Sequence, residues 1–190
     1  MGDFWVFGYG SLIWKPGFEF LEEQKAVLTG WHRSLCVHSW VHRGTQENPG
    51  LVLGLDKGGS CEGLARYVSG DKREAVIEYL RERELVTHVY LEQWVDIKLQ
   101  NGEMTKALTF VVDRGHHQYA SGLDESHQIE IVRGAVGKSG NNIDYVASTV
   151  LSLKQLNICD PVLERIVEQL TADPRTYPLK TDRLKDKDIH

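Results

Sequence analysis

The chain has 190 residues, about one domain's worth, with 41% hydrophobic and 26% charged residues. These proportions exclude collagen-like, coiled-coil and disordered classes. With 22 basic against 27 acidic residues the net charge is −5, which argues against a dedicated nucleic-acid or anionic-membrane surface. Small neutral or zwitterionic ligands stay open. Cys36, Cys61 and Cys159 are odd in number and outside CxxC pairs. They suggest neither a disulfide framework nor a zinc ribbon, and a reducing cytoplasm fits them best. The opening apolar run has no basic region before it and breaks at Gly8 and Gly10, too short for a signal or membrane helix.

Phe4 to Gly8 is an aromatic and β-branched run closed by glycine, which predicts a buried strand. Tyr9-Gly10-Ser11-Leu12 follows as a loop, and Pro16-Gly17 forbids a long helix after it. Further strand-like runs cover residues 26–41, 51–55, 61–68, 86–99 and 107–112. Turn chemistry at Gly44, Pro49-Gly50, Gly58-Gly59 and Asn101-Gly102 separates them. Helical periodicity begins at Asp71, read as an N-cap, and runs to about Glu84. It returns over residues 125–136 and 142–156, and again from Asp160-Pro161 to Leu170. Strands first and helices later predict an α+β fold with a mostly antiparallel or mixed sheet, closable into a barrel. The expected organisation is one domain over residues 1–170 with a polar tail over 171–190.

On a helical wheel of residues 71–84, Val76, Ile77, Tyr79 and Leu80 form the apolar stripe, with Glu74, Glu78 and Glu82 opposite. Glu84 stands seven positions from Ile77 and four from Leu80, so it projects on the side that faces the core. A carboxylate there is costly unless paired or working. Burial and the negative end of the helix dipole would both raise its pKa towards that of a general base or acid. The alternative is a helix that ends a turn early, with Glu84 in a loop or paired with Arg81 or Arg83.

The loop from Gly8 to Leu12 leaves a strand through small residues, and successive backbone N–H groups in such a loop can hold a carboxylate or an oxyanion. A plain tight turn around a buried Tyr9 is the other reading. GxGxxG fails here because Ile13 stands at the third glycine. Gly134-Ala135-Val136-Gly137-Lys138-Ser139 is a near miss for a phosphate loop, with Val132 where the first glycine belongs. His38 with His42 and the adjacent His116-His117 lack companion Glu or Cys ligands, so no metal is expected. Cys36 and Cys61 read as inert core thiols, and Ser11 lacks the setting of a hydrolase nucleophile.

Phe7-Gly8-Tyr9-Gly10-Ser11-Leu12-Ile13-Trp14 resembles the signature of the ChaC-type, glutathione-specific γ-glutamylcyclotransferases. The resemblance continues through His42-Arg43-Gly44, Pro49-Gly50, Gly59-x-Cys61-x-Gly63 and Arg83-Glu84, then Gly137 to Asn142 and Tyr145. It departs at His88, where glycine would be expected. It implies a γ-glutamylcyclotransferase-like mixed β-barrel flanked by helices. It also implies cofactor-independent cleavage of glutathione to 5-oxoproline and cysteinylglycine, with Glu84 as the catalytic carboxylate. Tyr9, Gly10, Ser11 and Leu12 would then grip the γ-glutamyl end. Tyr145 would offer a hydroxyl and Arg43 a cation for a carboxylate. The alternatives are a cyclotransferase for another γ-glutamyl amine and a non-catalytic regulatory γ-glutamyl-binding protein. No nucleic acid, membrane or metal partner is expected.

Overall fold

The structure is a computed structural model, and it describes residues 2–172. Strand β1 (Phe4–Gly8) is buried at every position. Trp5 and Phe7 join the main core, whereas Phe4 and Val6 join a second cluster. Burial on both faces explains why the run is apolar without alternation.

Strands β2 (Glu22–Ser39) and β3 (Gly50–Val68) form one long antiparallel ribbon. The 19 residues of β3 would reach about 60 Å if straight, too far for one small core. The ribbon bends at two irregularities, between Thr29 and Trp31 and between Leu35 and Val37. The Gly58-Gly59 pair, expected to turn the chain between two strands, instead lies inside β3 opposite Gly30. All three have positive φ, at 103°, 67° and 88°. The same left-handed freedom that serves a turn serves a bulge.

Helix α1 (Arg73–Glu84) starts one residue later than expected, with Lys72 rather than Asp71 at its N-cap. Asp71 lies one position before the cap, and its carboxylate accepts from the Ser69 hydroxyl. Val76 and the fully buried Leu80 pack on Phe4, Val6, Val68, Leu108 and Phe110. Burying a leucine of this kind contributes about 1.5–3 kcal/mol.

Strands β4 (Tyr90–Leu99) and β5 (Met104–Val112) form a hairpin. β4 begins four residues later than expected, because the β-branched Val86 and Thr87 belong to a turn in which His88 N–H donates to Leu85 O. His88 has φ 58°, the left-handed conformation that glycine adopts freely. His88→Gly is therefore expected to raise stability by about 0.5–1 kcal/mol in urea denaturation.

β5 lies parallel to β1 through Trp5↔Ala107 and Val6↔Leu108, closing a barrel in the order β1-β3-β2-β4-β5. One parallel seam among antiparallel pairs makes it the mixed barrel that was expected.

The rest of the described chain is helical apart from one small hairpin. Helix α2 (Glu125–Gly134) is followed by β6 (Val136–Gly137) and β7 (Gly140–Asn141), then α3 (Asn142–Gln155) and α4 (Pro161–Thr171). Asp160 caps α4 by accepting from Leu163 N–H at 3.2 Å. Ile129, Val132, Val146, Val150, Leu163 and Ile166 complete the main core against Leu51 and Leu53. The polar tail expected over residues 171–190 lies, from residue 173 on, outside the described residues.

Candidate active site

A cavity of about 600 Å³ opens beside the last turn of α1. Tyr9, Gly10, Ser11, Leu12, Arg43, Glu84 and Tyr145, the residues singled out in the sequence, all line it.

The loop after β1 is held by its carbonyls. Arg33 Nε donates to Tyr9 O at 2.6 Å, and Arg66 donates to Leu12 O at 2.5 Å and Ile13 O at 2.7 Å. Arg83 donates to Lys15 O at 2.6 Å and Pro16 O at 3.2 Å. Within the loop, Ile13 N–H bonds Gly10 O and Lys15 N–H bonds Ser11 O. No hydrogen bond among the described residues takes up the amides of Gly10, Ser11 and Leu12. Three arginines thus fix the acceptors of a loop whose donors remain for a ligand.

Glu84 occupies the place that the wheel assigns to it. The helix runs through it, and its side chain is 18% exposed. It is also ion-paired, to Arg83 Nε at 3.1 Å, so both sequence readings hold in part. Burial pushes its pKa up, and the Arg83 cation draws it back. Arg81, the other arginine of the last turn, binds both carboxylate oxygens of Glu92 through its Nε–Nη2 edge, at 2.6 and 3.0 Å.

The cavity floor is the Leu53 peptide of β3. Tyr90 Oη donates to Leu53 O at 2.7 Å, and Tyr145 Oη accepts from Leu53 N–H at 3.1 Å. Since Tyr145 accepts there, its own proton is left for another acceptor. Burial, with the Glu84 charge adding to it, pushes the Tyr145 hydroxyl up to about 12. Tyr9 and Tyr90 are raised well above the ordinary tyrosine value, chiefly by burial. Three neutral hydroxyls therefore line the same cavity as the carboxyl.

Arg43 lies with its guanidinium 5.3 Å from the centre of the Tyr145 ring. Its Nη1 donates to Ser139 O at 2.6 Å and Asn141 O at 3.2 Å. This hairpin is the near miss for a phosphate loop. Its Lys138 and Ser139 amides are taken up by Val41 O and His42 O, both at 2.9 Å, so they form no phosphate nest. The fit is backbone on backbone: a Cβ on Gly137 would come within 2.5 Å of the His42 carbonyl carbon.

Of the imidazoles considered for metal, His42 meets Ser139 Oγ at 3.0 Å, and His116 and His117 stack at 4.2 Å. His38 lines the cavity with a buried, unpartnered Nδ1, and burial lowers its pKa. Burial also raises Cys36 to about 12 and Cys61 to about 11, which keeps both thiols protonated.

Tyr90, Arg33, Arg66 and Arg83 are the residues of this site that sequence reasoning did not assign. Their partners lie far away in the chain, and only the pairing of Arg83 with Glu84 was readable locally. The charged groups on the cavity wall are Lys15, Arg43 and Arg83 against Glu84. A chain of net charge −5 therefore encloses a basic cavity.

The barrel and its flanking helices are the fold of a gamma-glutamylcyclotransferase. The solved yeast gamma-glutamylcyclotransferase specific to glutathione superposes with a TM-score of 0.82, over 90% of this chain and 97% of that one, at 21% identity. The chain belongs to the ChaC-like protein family, whose sequence profile matches residues 4–173. It is 34% identical over 166 residues to the Escherichia coli K12 glutathione-specific gamma-glutamylcyclotransferase, covering 87% of this chain and 72% of that protein. It is 34% identical over 149 residues to the zebrafish (Danio rerio) glutathione-specific gamma-glutamylcyclotransferase 1, covering 75% of this chain and 74% of that protein.

Proposed function

We propose that the protein cleaves glutathione by intramolecular cyclisation, releasing 5-oxoproline and cysteinylglycine, with Glu84 as the proton-transfer group. The observation that carries this is one half-buried carboxyl of raised pKa that shares a cavity with three tyrosine hydroxyls and a loop of unpaired amides. The names of the E. coli and zebrafish relatives support the substrate.

In a γ-glutamyl amide the α-amine can attack the side-chain carbonyl carbon and form a five-membered lactam. The bond to the cysteine nitrogen breaks, and the proton lost by the amine ends on that nitrogen. Neither water nor an enzyme nucleophile is consumed. Holding the bent conformer can supply roughly 7–11 kcal/mol in well-oriented cases. Glu84 takes the amine proton and returns it to the leaving nitrogen, while the Gly10–Leu12 amides grip the γ-glutamyl end. Tyr145 donates its remaining proton to the substrate, and Arg43 attracts a carboxylate.

The basic wall favours a peptide acid over an uncharged γ-glutamyl amine, since glutathione carries two carboxylates and one ammonium. A cytoplasmic setting belongs to the same reading, because the three cysteines are free thiols. Among the described residues no helix is long and apolar enough to cross a membrane.

Product release from glutathione and from the γ-glutamyl amide of an uncharged amine tests this. Glutathione is expected to turn over with the higher kcat/KM. A preference for the uncharged amide would transfer the function to other γ-glutamyl amines. Binding of glutathione without turnover of either compound would leave a non-catalytic binding protein.

A further inference from the structure

We propose that Arg83 is a positioning residue that sets Glu84 and the substrate-gripping loop with a single guanidinium. The proposal rests on the reading of Glu84 given above. Arg83 meets Glu84 Oε1 through Nε at 3.1 Å and donates from Nη2 to Ser11 Oγ at 2.8 Å. Its Nη1 reaches Lys15 O at 2.6 Å, Pro16 O at 3.2 Å and Tyr79 Oη at 3.1 Å. The Arg83 side chain is 20% exposed and that of Glu84 18%, so solvent screens the pair weakly.

A guanidinium is planar, and its donors point in fixed directions. With Nη2 on the Ser11 hydroxyl and Nη1 on the loop's far end, the loop cannot shift without breaking a hydrogen bond, and the same guanidinium holds the carboxylate beside it as an ion pair. Tyr79, one turn before Arg83, holds the fork from below, and Gly17 makes room for it: a Cβ there would stand 1.9 Å from Tyr79 Oη. The groups facing Glu84 from other elements are Tyr9 after β1, Tyr90 of β4 and Tyr145 of α3, with Arg43 behind Tyr145. All three hydroxyls are neutral at working pH, which makes Arg83 the cation that stabilises the ionised carboxylate.

Charge and shape can be separated by two variants. Arg83→Met removes both, whereas Arg83→Lys keeps a cation but cannot span loop and carboxylate together. The measurements are kcat, KM and the acid limb of kcat/KM against pH with glutathione, alongside the melting temperature. For Arg83→Met, kcat is expected to fall at least tenfold and the acid limb to move to higher pH, because the carboxylate loses the charge that favours its ionised form. Arg83→Lys is expected to return the acid limb towards the wild-type position while kcat stays low. If Arg83→Met does not fold, the decision rests on Arg83→Lys. Wild-type kcat in Arg83→Lys, or an unmoved acid limb in a folded Arg83→Met, overturns the proposal and leaves Arg83 a structural residue. Wild-type kcat in Glu84→Gln overturns the reading of the base instead, whatever the Arg83 variants do.

Discussion

Glu84→Gln is expected to lower kcat on glutathione by about 10²–10⁴-fold with little change in KM. The amide keeps the shape of the carboxyl and its place at the end of α1 but cannot carry a proton between the two nitrogens. Stability should move the other way. Burial raises the pKa of Glu84 above its unfolded value, so the stability it contributes is full at low pH and lost as pH rises through the folded pKa. The Gln variant has no such loss. It should melt at or above the wild-type temperature near neutral pH and converge with the wild type in acid. Arg83 loses one partner but retains Ser11, Tyr79, Lys15 and Pro16. A variant inactive only because it has unfolded would contradict this reading, and so would one that keeps wild-type kcat.

The largest expected effect on the fold comes from Asn142→Ala. β1 covers β3 only along residues 64–68, so the far edge of β3 beside the cavity has no strand against it. Side chains stand in for that strand. The fully buried Asn142 accepts from Leu51 N–H at 2.6 Å and donates to Leu51 O at 2.7 Å. Tyr145 and Tyr90 do the same for the N–H and the C=O of Leu53 at the cavity floor. Truncating Asn142 leaves a buried donor and a buried acceptor unpaired, which costs about 2–5 kcal/mol. The shift in urea midpoint measures it. Tyr145→Phe leaves one N–H unpaired and is expected to cost less. A loss under about 1 kcal/mol for Asn142→Ala would show that water replaces the side chain at that edge.

What could be read from the sequence was local and periodic. β1 was legible because it is short, apolar throughout and ended by glycine, and Glu84 because its spacing from Ile77 and Leu80 defines a helix face. What could not be read joins distant segments. Arg33 meets Tyr9 across 24 positions, Arg66 meets Leu12 across 54, and Asn142 meets Leu51 across 91. Nothing in the local pattern marks an arginine in a strand as the clamp of a loop. Gly58-Gly59 misled because turn and bulge demand the same backbone, and Val86-Thr87 because the turn joining α1 to β4 overrides their strand preference. The net charge is silent about the site for another reason: it is a sum over the whole surface, and the cavity wall has the opposite sign.

Cyclisation and hydrolysis of the same γ-glutamyl bond differ in where the oxygen of the product comes from. Turnover of glutathione in water enriched in oxygen-18, followed by mass spectrometry, separates them directly. The predicted result is cysteinylglycine with equimolar 5-oxoproline whose ring oxygen carries no label. Glutamate bearing one labelled oxygen, or glutathione recovered intact, would contradict a site built around Glu84 and the Gly10–Leu12 amides for intramolecular attack.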